Sequence, residues 1–355
     1  MATKLRLLAS CALLLIIIMS AGCTQTSNPT PTPVVTHESA VKFIDSSGIE
    51  ITLPHEARRI IATNSDCAEM LIAIGAGDRI VGVSDTVINN KLLMQQLPAN
   101  VANVGSWSTP NVEVMASLKP DVIVCYAYAN KPKNIEEIWA ANLTIVSLDC
   151  YKLSTLTADA RALGMMTGKS EKAEEYVAFL EKYLKMVKDR TAKLNASERP
   201  LVYWESYTAY STVGKNAAGD QMIAFTGGAN IAGDNTTTYP KVNAEWIINR
   251  NPSFIIKTFS ANDVSTSEDA GRILSGVTSR PGFEKVDAVK SGHVYAMSGN
   301  IASGARSIIG IVYLAKLFHP ELYEDIDPNA VLKEYAEKYV PGADKAIYVY
   351  PPISS

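Results

Sequence analysis

Two short motifs carry the sharpest chemical signal in this chain. Asn111-Val112-Glu113 is followed, seven residues after the Glu, by Pro120 and then by Val122-Ile123-Val124. Asn243-Ala244-Glu245 is followed at the same interval by Pro252 and then by Phe254-Ile255-Ile256. Asn in such a place caps a helix, which puts each Glu in a first helical turn. The helix dipole, worth ~0.3–1 kcal/mol, accounts for either carboxylate alone. As a pair in one register, Glu113 and Glu245 can instead present equivalent charges to a two-fold partner bearing Arg pockets. Charge pairs of that kind fix docking orientation and speed encounter.

Aromatic residues form the second set. Ligands of α/β sheets lie outside the carboxyl ends of the strands. Tyr126 and Tyr128 directly follow an apolar run ending at Cys125, and Tyr151 follows one ending near Leu148. Trp204, Tyr207 and Tyr210 lie in and just beyond the run that begins at Leu201. Trp107 and Tyr239 precede the two Asn-x-Glu helices. Flat rings with polar tips suit a cleft for a large, partly apolar, partly polar ligand. Arg306, at the start of a helix-like segment, is expected to supply a polar contact there. The composition leans the same way, with 16 Tyr against 7 Phe.

Catalytic motifs are weak throughout. Gly164-Met-Met-Thr-Gly168-Lys169-Ser170 resembles the end of a phosphate-binding loop, but Leu163 stands where its first Gly belongs. A helix–turn is the better reading, with Lys169 at the start of the next helix. Gly75-Ala-Gly77 lacks the third Gly of a dinucleotide fingerprint, and no G-x-S-x-G elbow is present. The four His are widely spaced and no C-x-x-C occurs, so no zinc site is expected. Cys67, Cys125 and Cys150 fall near one expected edge. They read as buried inert thiols or as a Cys125–Cys150 bridge, with a soft-metal or thiolate site as the remaining alternative. The expectation is no metal site, no cofactor and no enzyme. A formal net charge of −3 gives no basic footprint for nucleic acid.

These groups must be positioned by a folded chain of 355 residues, 47% apolar. Residues 1–22 read as a signal peptide. Lys4 and Arg6 precede an apolar run from Leu7 to Met19, too short to span a bilayer. The stretch Ser20-Ala21-Gly22-Cys23 resembles a lipobox, with Ser20 where Leu is usual, so Cys23 is the expected lipidation site. Residues 23–37 are Thr- and Pro-rich and read as a stalk, which places the fold outside the cytoplasm. From Arg59 onward, short apolar runs alternate with helix-like segments, as in a mostly parallel sheet covered by helices. Ser65 is the expected N-cap of the first helix. Ser170 to Leu194 has no Gly or Pro, and its apolar residues recur every three or four positions. One long helix is expected there. The shared register of the two Asn-x-Glu segments then implies two similar α/β lobes, over residues 38–168 and 196–355, joined by a helix over 169–195.

The chain resembles the substrate-binding lipoproteins of ABC importers for metal chelates: iron-siderophore, haem and cobalamin. The resemblance runs from about Val41 to Lys338. It is carried by LPHEARRIIAT (Leu53–Thr63), AIGAGDRIVGV (Ala73–Val83), VGSWSTPNVEVMASLKPDVIV (Val104–Val124), TGGANIAGD (Thr226–Asp234) and VNAEWIINRNPSFII (Val242–Ile256). It implies two Rossmann-like lobes joined by one long rigid helix, like class III periplasmic binding proteins. It also implies that Glu113 and Glu245 dock on Arg residues of a permease dimer, which an ATPase drives. The position of Trp107 faces ligand in such proteins, and Tyr126 and Tyr239 fall where cobalamin binders place aromatic contacts. The expected cargo is a corrinoid or an iron-siderophore. The alternatives are haem, or an extracytoplasmic metal-cluster protein or enzyme on a related scaffold.

Overall fold

The computed structural model describes residues 40–127, 131–261 and 263–353. The signal segment, the stalk with Cys23, and Tyr128 lie outside the described residues. Residues 38–355 form one compact unit. No described helix is long and apolar enough to cross a membrane.

The first half builds a five-stranded parallel sheet from β1 (Ile60–Ala62), β2 (Ile80–Val83), β3 (Ala102–Asn103), β4 (Val122–Cys125) and β5 (Ile145–Ser147). Its order is β3-β2-β1-β4-β5. Every residue of β1 and β4 is buried. Continuous apolar runs without alternation belong in strands covered by helices on both faces. Helix α1 (Ser65–Ala73) leaves the carboxyl end of β1, and α2 (Val112–Ser117) precedes β4.

The first helix departs from expectation at its cap. Asn64, not Ser65, is the N-cap, and its side chain accepts from the Cys67 amide at 2.6 Å. Ser65 is the first helical residue. At α2 the expectation holds, with the Asn111 side chain accepting from the Val114 amide at 3.0 Å.

The long helix α3 (Ser170–Thr191) has 22 residues, or about 33 Å. Its buried stripe of Ala173, Tyr176, Val177, Leu180 and Val187 packs against helices of both halves. The segment that resembled a phosphate loop is the end of helix Leu156–Met166 and the turn into α3. A Cβ on Gly164 would lie 2.4 Å from the Ala173 Cβ, so close helix packing explains that glycine.

The second half builds the other sheet from β6 (Leu201–Glu205), β7 (Ala229–Asn230), β8 (Phe254–Phe259), β9 (Val294–Ser298) and β10 (Val349–Tyr350). The order is β7-β6-β8-β9-β10, parallel except for β10. Its helices include α4 (Ala218–Phe225), α5 (Ala244–Arg250), α6 (Ser307–Phe318) and α7 (Pro328–Lys338). Asn243 caps α5 by accepting from the Trp246 amide at 2.8 Å. The two Asn-x-Glu segments therefore share one local structure. Each half also has a point where the strand order reverses, and crevices form there outside the carboxyl ends.

Candidate functional site

A cleft of about 750 Å³ opens beyond the carboxyl ends of the first sheet, with residues of the second half forming its far wall. Three aromatic side chains line the near wall. Trp107 sits at the tip of a hairpin whose arms are Gly105–Ser106 and Thr109–Pro110. Tyr126 follows β4, and Tyr151 follows β5. Their rings meet edge to face in a chain. Trp107 and Tyr126 have centroids 5.6 Å apart at 85°, and Tyr126 and Tyr151 have centroids 5.5 Å apart at 82°. This geometry suits aromatic quadrupoles and holds the rings in place before any ligand arrives. Opposite them stand Tyr239, 54% exposed, with Asn216, Gln221 and Ser303.

Not all the expected second-half residues reach this cleft. Trp204 is 2% exposed, and its indole Nε1 donates to Thr258 Oγ1 at 2.8 Å in the core. It lies in a strand with nearly every residue buried, so side chains on both faces are spent on packing. Tyr210 lies under the Arg280 guanidinium, 4.4 Å from its ring centroid. Arg280 in turn makes a bidentate pair with buried Glu205 at 2.6 and 2.8 Å. Burial alone would raise the Glu205 carboxyl, but Arg280 and Lys257 hold it below its ordinary value. Tyr207 lines a neighbouring cavity of about 420 Å³ with Lys257 and Phe259, and burial together with Tyr239 and Asp66 of the cleft pushes its phenol up.

Arg306 is not a cleft contact. It is 2% exposed and donates through Nη2 to Glu69 Oε2 at 2.9 Å and through Nη1 to the Tyr348 hydroxyl at 2.5 Å. A guanidinium committed in this way is unavailable to a ligand. The tyrosine excess has a similar cause. Tyr176, Tyr203, Tyr323 and Tyr335 are all fully buried, each with its hydroxyl bonded inside the fold. Seven of the sixteen tyrosines are buried in the core, and Tyr126, Tyr151 and Tyr239 line the cleft.

The cleft floor also holds a carboxylate that belongs to no motif of the sequence. Asp66, in the first turn of α1, accepts from the Tyr126 hydroxyl at 2.9 Å. Burial lifts its carboxyl to about 7. The Tyr126 bond opposes that rise, Glu69 adds to it, Arg306 opposes it and Asp149 adds to it. Burial and the neighbouring Asp66 push the Tyr126 phenol far above its ordinary value, so it stays a donor. Asp66 reads in sequence as an ordinary first-turn acid; the available signal was its place just after a strand's carboxyl end. Ser307 also lines the cleft, and its buried Oγ has no hydrogen-bond partner among the described residues.

Glu113 and Glu245 are both exposed, and neither takes part in an ion pair among the described residues. Cys67, Cys125 and Cys150 are free and buried, so the bridge between Cys125 and Cys150 is absent. Burial pushes the Cys125 thiol up to about 12. Among the described residues no group of three or more His, Cys, Asp or Glu is arranged to hold a metal ion.

Comparison with known proteins gives this geometry a family. YvrC of Bacillus subtilis (strain 168), an uncharacterized ABC transporter substrate-binding lipoprotein, is 25% identical over 324 residues, covering 88% of this chain and 97% of that protein. A vitamin B12-binding protein of Yersinia pestis (strain Pestoides F) is 24% identical over 218 residues, covering 60% of this chain and 74% of that protein. The fold matches the crystal structure of the TroA-like periplasmic binding protein FepB from Veillonella parvula with a TM-score of 0.75 at 23% identity, over 87% of this chain and 99% of that one. The family model described as periplasmic binding protein matches residues 60–300, more than half of the chain, and the chain belongs to that family.

Proposed function

We propose that this chain is the substrate-binding component of an ABC importer. It captures a metal chelate, a corrinoid such as cobalamin or an iron-siderophore, between lobes 38–168 and 196–355 joined by residues 169–195. It then delivers the chelate to a membrane permease dimer whose ATPase supplies the energy. The observation that carries this reading is the Trp107–Tyr126–Tyr151 wall facing Tyr239 across a cleft of about 750 Å³. Pre-set rings suit stacking on a large flat ligand, and a preformed site loses little entropy on binding. The chelate is cargo, and the chain holds no cofactor of its own and catalyses no reaction. Lipidation at Cys23 anchors the chain outside the cytoplasmic membrane. Glu113 and Glu245, equivalent and in no ion pair among the described residues, are the permease contacts.

The test is an intrinsic-fluorescence titration against cyanocobalamin, cobinamide, haemin and several ferric siderophores. Saturable quenching by a corrinoid or a siderophore is expected. Quenching by haemin alone would replace the cargo with haem, and binding of none would remove the receptor reading.

A further inference from the structure

The floor of the cleft presents two polar groups from opposite halves of the chain. Asp66 comes from α1 and Ser307 from the first position of α6. Gly304 brings them together. Its φ of +90° suits glycine, and a Cβ there would lie 2.3 Å from Asp66 Oδ1. The Gly304 carbonyl in turn accepts from the Ser307 amide at 3.0 Å. Asp66 Oδ2 accepts from the Tyr126 hydroxyl, while Ser307 Oγ has no partner among the described residues although Ser307 is only 3% exposed. A buried hydroxyl left unbonded in a cavity wall is unusual, and each such group calls for an explanation.

We propose that Asp66 and Ser307 form a two-sided anchor for a ligand group that donates hydrogen bonds, an amide N–H or a hydroxyl. Asp66 accepts from that group. Ser307 Oγ either accepts a second N–H of a primary amide or donates to the hydroxyl's oxygen. The anchor selects chelates whose rim carries amides or hydroxyls over chelates whose rim carries carboxylates, because a carboxylate beside ionised Asp66 is repelled. This rests on the metal-chelate reading above and narrows its cargo.

Several charged or titratable groups surround Asp66. Glu69 lies on its own helix, Tyr126 beyond β4, Asp149 and Cys150 beyond β5, Tyr207 beyond β6, and Arg306 before α6. Arg306 is committed to Glu69, and Asp149 has Lys152 at 2.6 Å. Asp66 is therefore the cleft-lining carboxyl that changes charge near neutrality.

The experiment measures affinity for cyanocobalamin, whose rim carries amides, and for haemin, whose rim carries carboxylates, from pH 5.5 to 8.5. The wild type, Asp66→Asn and Ser307→Ala are compared, with thermal melts to confirm folding. Wild-type affinity for cyanocobalamin is expected to be about tenfold tighter at pH 8 than at pH 6, as one carboxyl titrating near 7 requires. Asp66→Asn should bind several-fold more weakly at pH 8 with a flat profile, and it should gain affinity for haemin. Ser307→Ala should weaken cyanocobalamin binding several-fold and keep the slope. If cyanocobalamin binds but folded Asp66→Asn keeps the wild-type slope and affinity, the anchor is overturned and the receptor reading stands. Undiminished binding by Ser307→Ala overturns the two-sided form. If neither probe binds, the amide-rim anchor is overturned, and the siderophore arm of the fluorescence panel decides the receptor reading separately.

Discussion

Glu69 and Arg306, 237 residues apart, form a buried ion pair that ties α1 of the first half to the turn before α6 of the second. The Tyr335 hydroxyl completes Glu69 at 2.7 Å, and the Tyr348 hydroxyl accepts from Arg306. Next to this pair, the Tyr176 hydroxyl on α3 donates to the Ala305 carbonyl at 2.9 Å. Both halves and the long helix are thus held at one polar knot behind the cleft floor. That knot, together with α3, joins the half that carries the aromatic wall to the half that carries Tyr239.

Breaking the knot from one side should be costly. Arg306→Ala leaves a carboxylate buried without its partner, and loss of one member of such a pair costs roughly 3–5 kcal/mol. Urea denaturation should show that loss. The double change Glu69→Leu with Arg306→Met removes both charges and should recover much of it. A single change that stays within about 1 kcal/mol of wild type would contradict the role given to the pair.

Two tryptophans separate binding from folding. Trp107 touches Tyr126 at the cleft mouth, whereas Trp204 is sealed in the core with its N–H on Thr258. Trp107→Ala should abolish most ligand-dependent quenching and weaken binding by about tenfold, near the upper end of an aromatic contact. Trp204→Phe strands the Thr258 hydroxyl and should cost ~1–3 kcal/mol in stability while leaving affinity unchanged. The opposite pattern would move the site away from the Trp107 wall.

Reversing Glu113 and Glu245 together to Lys should leave the melting temperature and ligand affinity as they are, because both side chains are exposed and in no ion pair among the described residues. Uptake in cells, or co-purification with the permease, should fall at least tenfold. Uptake at the wild-type rate would dismiss the docking role.

The three cysteines of residues 38–355 are free and buried. A thiol reagent at pH 8 should therefore label none of them in native protein and all three after denaturation. Titration of fewer than three thiols in denaturant would reveal a disulfide that the folded geometry does not contain.

What could be read from the residues was local. Continuous apolar runs marked β1, β4 and β8, and Asn111 and Asn243 marked their helices, because strand burial and capping leave short-range patterns. The clean stretch from Ser170 marked α3 for the same reason. The site was less legible where it depends on the packing of distant segments. Arg306 looked available because nothing near it in sequence is acidic; its partner Glu69 comes from the other half. Tyr176 and Tyr335 add to the tyrosine excess of the composition, yet their hydroxyls close bonds that only the folded chain brings together. Asp66 was hidden because a first-turn acid after a cap has an ordinary explanation, and its neighbours Tyr126 and Gly304 are contributed by distant segments.

Asp66 should also leave a mark on stability that needs no ligand. The unfolded carboxyl titrates near 3.8 and the folded one at about 7. Between those values the native state keeps a proton that the unfolded state has released. The contribution to stability is therefore full below pH 4 and is lost as pH rises through 7. Asp66→Asn has no such titration. Its urea midpoint should be close to wild type at pH 4 and clearly higher than wild type at pH 8, since the ionised carboxylate is then the costly form. A difference between the two proteins that stays constant from pH 4 to pH 8 would show that Asp66 is not held in the raised state that the walls of the cleft floor impose.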